Sequence, residues 1–257
     1  MKNKKEEVSI DEKLKNIKEL EKAKKKYLRL RNTVLIILGI FLIILLSFFY
    51  KSIKISKILK DNIIADLGDN CKVSFYYNDE TIANQIIYIN NGLIKNVTPI
   101  ITDVGLGELI IIGTIDGYNY IINDMMWNGE ATKTYTKIKI DEIELEGYDI
   151  TKINLLESFY SGSYKVSFLD VAKFIIEDKG RIEKEEYNGK EYIVLRRGEY
   201  AKCYINPETG LVEKMVGGND KNRTEKKIVI EKNAVTEEIK LPDLSEYIDQ
   251  TEKLYNQ

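Results

Sequence analysis

Between Thr33 and Tyr50 eighteen consecutive residues carry no charge. Most are Leu, Ile, Val and Phe, as in Val34-Leu35-Ile36-Ile37-Leu38 and Phe41-Leu42-Ile43-Ile44-Leu45-Leu46. Wound as a helix, such a run covers roughly 27 Å, close to the hydrocarbon thickness of a bilayer. The core helix of a water-soluble domain keeps one polar face, and this run offers none. It is longer than the apolar part of a cleaved signal peptide. It also ends in Ser47-Phe48-Phe49-Tyr50-Lys51, without a small-x-small cleavage pattern. The sequence therefore predicts one retained transmembrane helix over residues 33–50.

Charge sets the direction. Residues 1–31 hold twelve Lys and Arg against six Asp and Glu, whereas residues 51–257 hold 27 against 35. Lys22, Lys24, Lys25, Lys26, Arg29 and Arg31 precede the span; Lys51, Lys54, Lys57 and Lys60 follow it. Lys/Arg excess is retained in the cytoplasm, and long acidic segments cross largely regardless of charge. A single-pass cell-membrane protein is expected, with its N-terminus cytoplasmic and its C-terminal domain outside. The body lacks the basic stripe that tracks a phosphate backbone, so no nucleic-acid partner is expected.

In the tail (1–32), Ser9-Ile10-Asp11-Glu12 fits a capping box. Ile10, Leu14 and Ile17 then keep heptad spacing until Glu21 and Lys24 break it. A solvated helix with its lysines on anionic headgroups is the expected state, and a partner-binding coiled coil is the other reading. After the span, Ile55, Ile58, Leu59 and Ile63 share one helical face. This is either a stalk over residues 51–69 or the first helix of the outer domain.

From residue 70 to 257 the period changes. Strands are predicted at Cys71–Tyr77, Thr81–Ile89, Gly107–Thr114, Tyr118–Asn123 and Ala131–Ile140, punctuated by Asn90-Asn91-Gly92, Asp116-Gly117 and Asn128-Gly129. Helical patterns follow at Tyr148–Tyr160 and Ser167–Asp178. In the second, Phe168, Val171, Ala172, Ile175 and Ile176 form the apolar face. Further strands are expected at Arg181–Tyr187, Lys190–Arg197, Tyr200–Ile205, Leu211–Val216 and Lys227–Glu231. The fold class is mainly β (α+β): a transmembrane helix, then a large antiparallel meander that needs its apolar face covered, with one or two helices as the cover.

The chemistry-bearing residues are few. There is no histidine, and no nucleophile elbow, P-loop or dinucleotide fingerprint. Val104-Gly105-Leu106-Gly107 reads as a flexible loop, Ser161-Gly162-Ser163 as a turn and Glu185/Glu186 as a solvated face. No enzyme activity, metal or cofactor is expected. Met125-Met126-Trp127 is the odd feature. These residues either cap the core from a hairpin end or form a soft apolar lip at a ligand cavity. Cys71 and Cys203 are either two buried free thiols or a disulfide whose long loop would be worth roughly 4–5 kcal/mol in the chain-entropy model.

Tyr204-Ile205-Asn206-Pro207-Glu208-Thr209-Gly210-Leu211 is similar to the Y-[IV]-D-x-x-T-G-L turn of bacterial LolA/LppX-like lipoprotein-carrier domains. Ala234-Val235-Thr236-Glu237-Glu238 followed by Pro242-Asp243-Leu244 resembles the ending of that group. Val73-Ser74-Phe75-Tyr76-Tyr77 sits where its first strand lies. The resemblance covers roughly residues 70–247 and rests on turn motifs. It implies a strongly curved, half-open β-barrel with helices on the concave side. That hollow would serve acyl chains, lipoproteins or other apolar ligands, and some relatives are envelope-stress sensors. The chain departs in replacing a cleaved or lipidated N-terminus with a signal anchor, and a tethered protein cannot shuttle between membranes. The expectation is a membrane-anchored, non-enzymatic binding module for a lipid, lipoprotein or envelope protein. The alternative is a sensor or assembly/scaffold subunit without a small ligand.

Overall fold

The computed structural model describes residues 10–63, 65–78, 80–103, 105–139, 153–160, 166–218 and 222–252. The chain divides into two units, Met1–Lys51 and Ser52–Gln257. Ser9 of the expected capping box lies outside the described residues.

The first element is one unbroken helix, α1 (Ile10–Ile63). It contains the uncharged run, whose apolar side chains are exposed, and it is long and apolar enough to cross a membrane. Its last three turns belong to the second unit. There Ser52, Ile55, Leu59, Asn62 and Ile63 are buried, three or four residues apart on one face. The residues after the uncharged run are thus the first helix of the second unit.

The domain is an open, curved, twelve-stranded sheet with the order β12-β6-β5-β4-β3-β2-β1-β11-β10-β9-β8-β7. Two meanders meet at its centre. One runs β1 (Asn70–Tyr77), β2 (Gln85–Asn90), β3 (Leu93–Thr102), β4 (Gly105–Ile115), β5 (Tyr118–Trp127) and β6 (Glu130–Lys139). The other runs β7 (Arg181–Tyr187), β8 (Lys190–Arg197), β9 (Ala201–Ile205), β10 (Val212–Gly218) and β11 (Arg223–Lys232). The strand β1 pairs antiparallel with β11, Cys71 opposite Lys232 and Tyr77 opposite Lys226. The two-residue β12 (Ile248–Asp249) closes the far edge and pairs parallel with β6, Ile248 opposite Thr134. Tight turns at Asn91-Gly92, Asp116-Gly117, Asn128-Gly129 and Asn188-Gly189 have positive φ at both residues, the geometry that matches strand twist in two-residue hairpins.

Two segments differ from the sequence reading. The strand β3 lies where no strand is predicted from the sequence, and it contains Pro99, a residue uncommon in central strands. Pairing with β2 stops at Ile86 opposite Val97, so Pro99 lies past its neighbour's end and its missing N–H interrupts no ladder. The described part of the expected 148–160 helix, residues 153–160, is a turn-rich segment. Ile153 bridges to Ala65, and the Asn154 side chain accepts the Leu156 N–H at 2.9 Å, a local bond that competes with helix. Residues 148–152 lie outside the described residues.

The second helix, α2 (Phe168–Ile176), has a reciprocal capping box between Ser167 and Asp170. Its buried residues are Val171 and Phe174; Phe168 and Ile176, placed on the apolar face by the sequence, are exposed. The core lies on one face of the sheet, where Cys71, Val73, Phe75, Leu195, Cys203 and Ile205 meet the end of α1, residues 153–160 and α2. By strand alternation, Tyr192, Val194, Tyr204 and Val216 form a small cluster on the opposite face. A third cluster, Ile112 and Ile122 with Ile239, also lies there, beneath the chain's last described segment.

Candidate functional site

Three regions could serve recognition: the inner face of the sheet, a groove on its outer face, and the hairpin ends that carry Met125–Trp127.

The inner face beneath β1, β2 and β8–β11 is filled by the chain itself. Ile55, Leu59 and Ile63 of α1 have no exposed surface, and nor do Leu155, Leu156 and Val171. Asn62 fixes this helix end. Its amide donates to the Gly210 carbonyl at 2.9 Å, its side-chain oxygen accepts the Val212 N–H at 2.8 Å, and its backbone carbonyl accepts the Leu155 N–H at 2.9 Å. A buried amide with its donors and acceptors met defines one docking geometry. The Thr209-Gly210-Leu211 turn singled out in the sequence is therefore the seat of α1. Along β2–β6 the same face mixes apolar residues, among them Ile100, Leu109, Ile111 and Ile121, with polar pairs. Gln85 donates to Asn96 at 3.2 Å and Asn123 to Thr134 at 3.4 Å.

Cys71 and Cys203 are both buried free thiols. They lie on β1 and β9, with β11 and β10 between them. Three strand spacings amount to about 14 Å along the sheet, twice the Cα separation a disulfide tolerates. Burial raises the pKa of both, more strongly for Cys203.

On the outer face a groove of about 850 Å³ runs between the β7–β8 turn and β1, β10 and β11, with Tyr76, Tyr187, Tyr192, Lys214 and Lys227 in its lining. Tyr187, Tyr192 and Tyr204 pack with ring centroids 5.7–6.3 Å apart. The Lys214 ammonium sits 4.1 Å from the Tyr187 ring centre and pairs with Glu225 at 2.5 Å. The Tyr192 hydroxyl donates to Glu213 at 2.7 Å, and the Tyr204 hydroxyl to Glu185 at 3.1 Å. Burial and those carboxylate acceptors push both phenols up to about 12. Glu185, read from sequence as solvated, is drawn into this network by Lys202 at 3.0 Å and by Arg196. Burial alone would raise its pKa, but the bonds from Lys202, Arg196 and Tyr204 outweigh it and hold the carboxyl below its ordinary value. Alternating glutamates in a strand look like a solvated edge, and only register reveals which of them face Arg196 and Lys202.

The Met125–Trp127 segment lies within β5, not in a loop beside it. Gly105 and Gly107, expected in a flexible loop, belong to β4, opposite Trp127 and Met125 respectively. A Cβ on Gly105 would come within 2.9 Å of the Trp127 ring, and one on Gly107 within 2.8 Å of the Met125 sulfur. The glycines provide a bare strand on which both side chains rest. Met126 points to the other face, in line with Leu106 and Ile101. Those two apolar partners were not singled out in the sequence; strand alternation read together with register is the signal that locates them. Among the described residues no group of His, Cys, Asp and Glu is arranged to hold a metal ion.

No protein-family model matches the sequence, and no curated protein does. Among solved structures the chain is similar to MucB in a MucA/MucB complex from Pseudomonas aeruginosa, at 12% identity and a TM-score of 0.28, covering 71% of this chain and 57% of that one. A crystal structure of MucB aligns at 11% identity and a TM-score of 0.29, covering 73% of this chain and 61% of that one. The chain thus spans less than two thirds of either, and likeness at these TM-scores bears on neither fold nor function.

Proposed function

We propose that this chain is a membrane-anchored, non-enzymatic module of the cell envelope that binds or assembles with a protein partner, without carrying a small apolar ligand. The observation that carries this reading is the filled inner face beneath β1, β2 and β8–β11. The end of α1 occupies, with no exposed surface at Ile55, Leu59 and Ile63, the hollow that a half-open barrel would offer to an acyl chain. A core packed to ordinary protein density leaves a lipid no room. The polar pairs Gln85–Asn96 and Asn123–Thr134 interrupt the apolar residues on the rest of that face. The same α1 contains the apolar run, so the domain begins within two residues of Tyr50. Orientation with the tail in the cytoplasm is supported by the Lys/Arg excess before Thr33.

The test is native mass spectrometry of the full chain in detergent, followed by exchange into a second detergent. The expected spectrum is the bare chain once annular lipid has washed off. One lipid per chain, retained through exchange and raising the thermal midpoint, would restore the carrier reading.

A further inference from the structure

We infer that the apolar ends of the β3–β4 and β5–β6 hairpins form a docking site for a basic amphipathic segment of another protein. The inference rests on the reading of the chain as a protein-binding module.

Register aligns three large apolar side chains across three strands. Ile101 is opposite Leu106, and Leu106 is opposite Met126. All three point to one face and are 65%, 64% and 48% exposed. Ile82 borders a shallow recess with Pro99 and Ile101 beside the row. Scattered exposed apolar residues need no explanation, but a row in direct cross-strand contact is a contiguous patch. The β3–β4 and β5–β6 hairpins belong to a six-strand run whose register is regular at this end, so the row is presented on a rigid support.

Charge around the row identifies the partner's chemistry. Glu108 and Asp124 face each other one pair further along the same face, an arrangement that disfavours folding unless something offsets it. Asp103 and Glu130 stand at the two hairpin ends, and Glu80 lines the recess beside Ile82. The nearest cation on the face is Lys133, opposite Asp124, but its ammonium is engaged by Glu246 at 2.9 Å. The Tyr247 hydroxyl also donates to Asp124. Among the described residues Glu108, on the same face as the row, has no ion-pair partner. An apolar strip with an acidic rim is complementary to a segment whose apolar side chains are flanked by Lys or Arg. An anionic lipid surface would be repelled by the same rim.

The experiment uses the full chain in zwitterionic nanodiscs and two synthetic amphipathic peptides with one leucine pattern. One carries Lys at its polar positions and the other Glu, and empty nanodiscs provide the blank. Saturable binding of the Lys peptide, weakened by salt, is expected. Leu106→Ser and Met126→Ser should each weaken it by about tenfold with an unchanged thermal midpoint, both positions being solvent-exposed. Glu108→Gln should lessen the salt dependence. Equal binding of the Glu peptide, or indifference to Leu106→Ser, overturns the proposal. So does adsorption to lipid vesicles that Leu106→Ser abolishes while neither peptide binds. A lipid-free chain that ignores the Lys peptide refutes this docking site and leaves the module reading standing; a retained lipid refutes the module reading itself.

Discussion

Single residues here matter through the atoms opposite them. A methyl group on Gly107 would come 2.3 Å from the Asp124 carbonyl oxygen and 2.7 Å from the Met125 Cα, both backbone atoms that cannot swing aside. Gly107→Ala is therefore expected to destabilise the domain by about 1–3 kcal/mol, read as a lowered denaturation midpoint. The phenols of Tyr192 and Tyr204 make a second residue-level prediction. Their pKa of about 12 in the folded chain stands above the ordinary value of 10. A phenol held neutral by folding contributes stability that is complete below pH 10 and lost as pH rises through 12. Absorbance titration at 295 nm should show these two among the late-ionising tyrosines. Tyr204→Phe, which leaves Glu185 without that donor, should remove one of them. The cysteines were legible as a pair of alternatives only, because sequence cannot say that two strands intervene. In the structure both thiols are free and buried, so a maleimide should label them only after unfolding.

Elements were more legible than residues, and unevenly so. The apolar run is visible because a membrane-spanning helix needs length and lack of charge, both properties of consecutive residues. The Asn-Gly and Asp-Gly hairpins are visible because few residues tolerate positive φ. The strand β3 was hidden because its proline is acceptable only where β2 happens to stop. The face of Ile55, Leu59 and Ile63 could be read from spacing, but not what it meets. The sequence left stalk and domain helix open, and burial settles that choice. Leu59→Ala should cost about 2–5 kcal/mol, as for a large-to-small change in a closed core, whereas a stalk residue would cost almost nothing. Ser167→Ala, which removes the α2 capping box, should cost about 1 kcal/mol. Urea denaturation of the full chain in detergent measures both.

At the scale of the molecule, the large meander with a helical cover was legible, and the union of two meanders at β1 and β11 was not. That pairing joins residues far apart in sequence, Cys71 with Lys232, and no local pattern encodes it. Topology also gives a test of orientation: a reporter fused after Gln257 should be accessible outside intact cells. Its protection in spheroplasts would reverse the assignment.

The same central pairing has a consequence in time. Strands β1 to β6 can zip as successive neighbours while the chain is still being delivered, but β1 keeps one edge bare until β11 arrives. Through that interval the half-sheet would hold Val73 and Phe75 without their final cover. Unpaired edges and uncovered apolar faces are what aggregate. A pulse-chase followed by brief proteolysis should find a protease-sensitive species that matures only after residue 232 has emerged. Chains truncated before β11 should never pass beyond it.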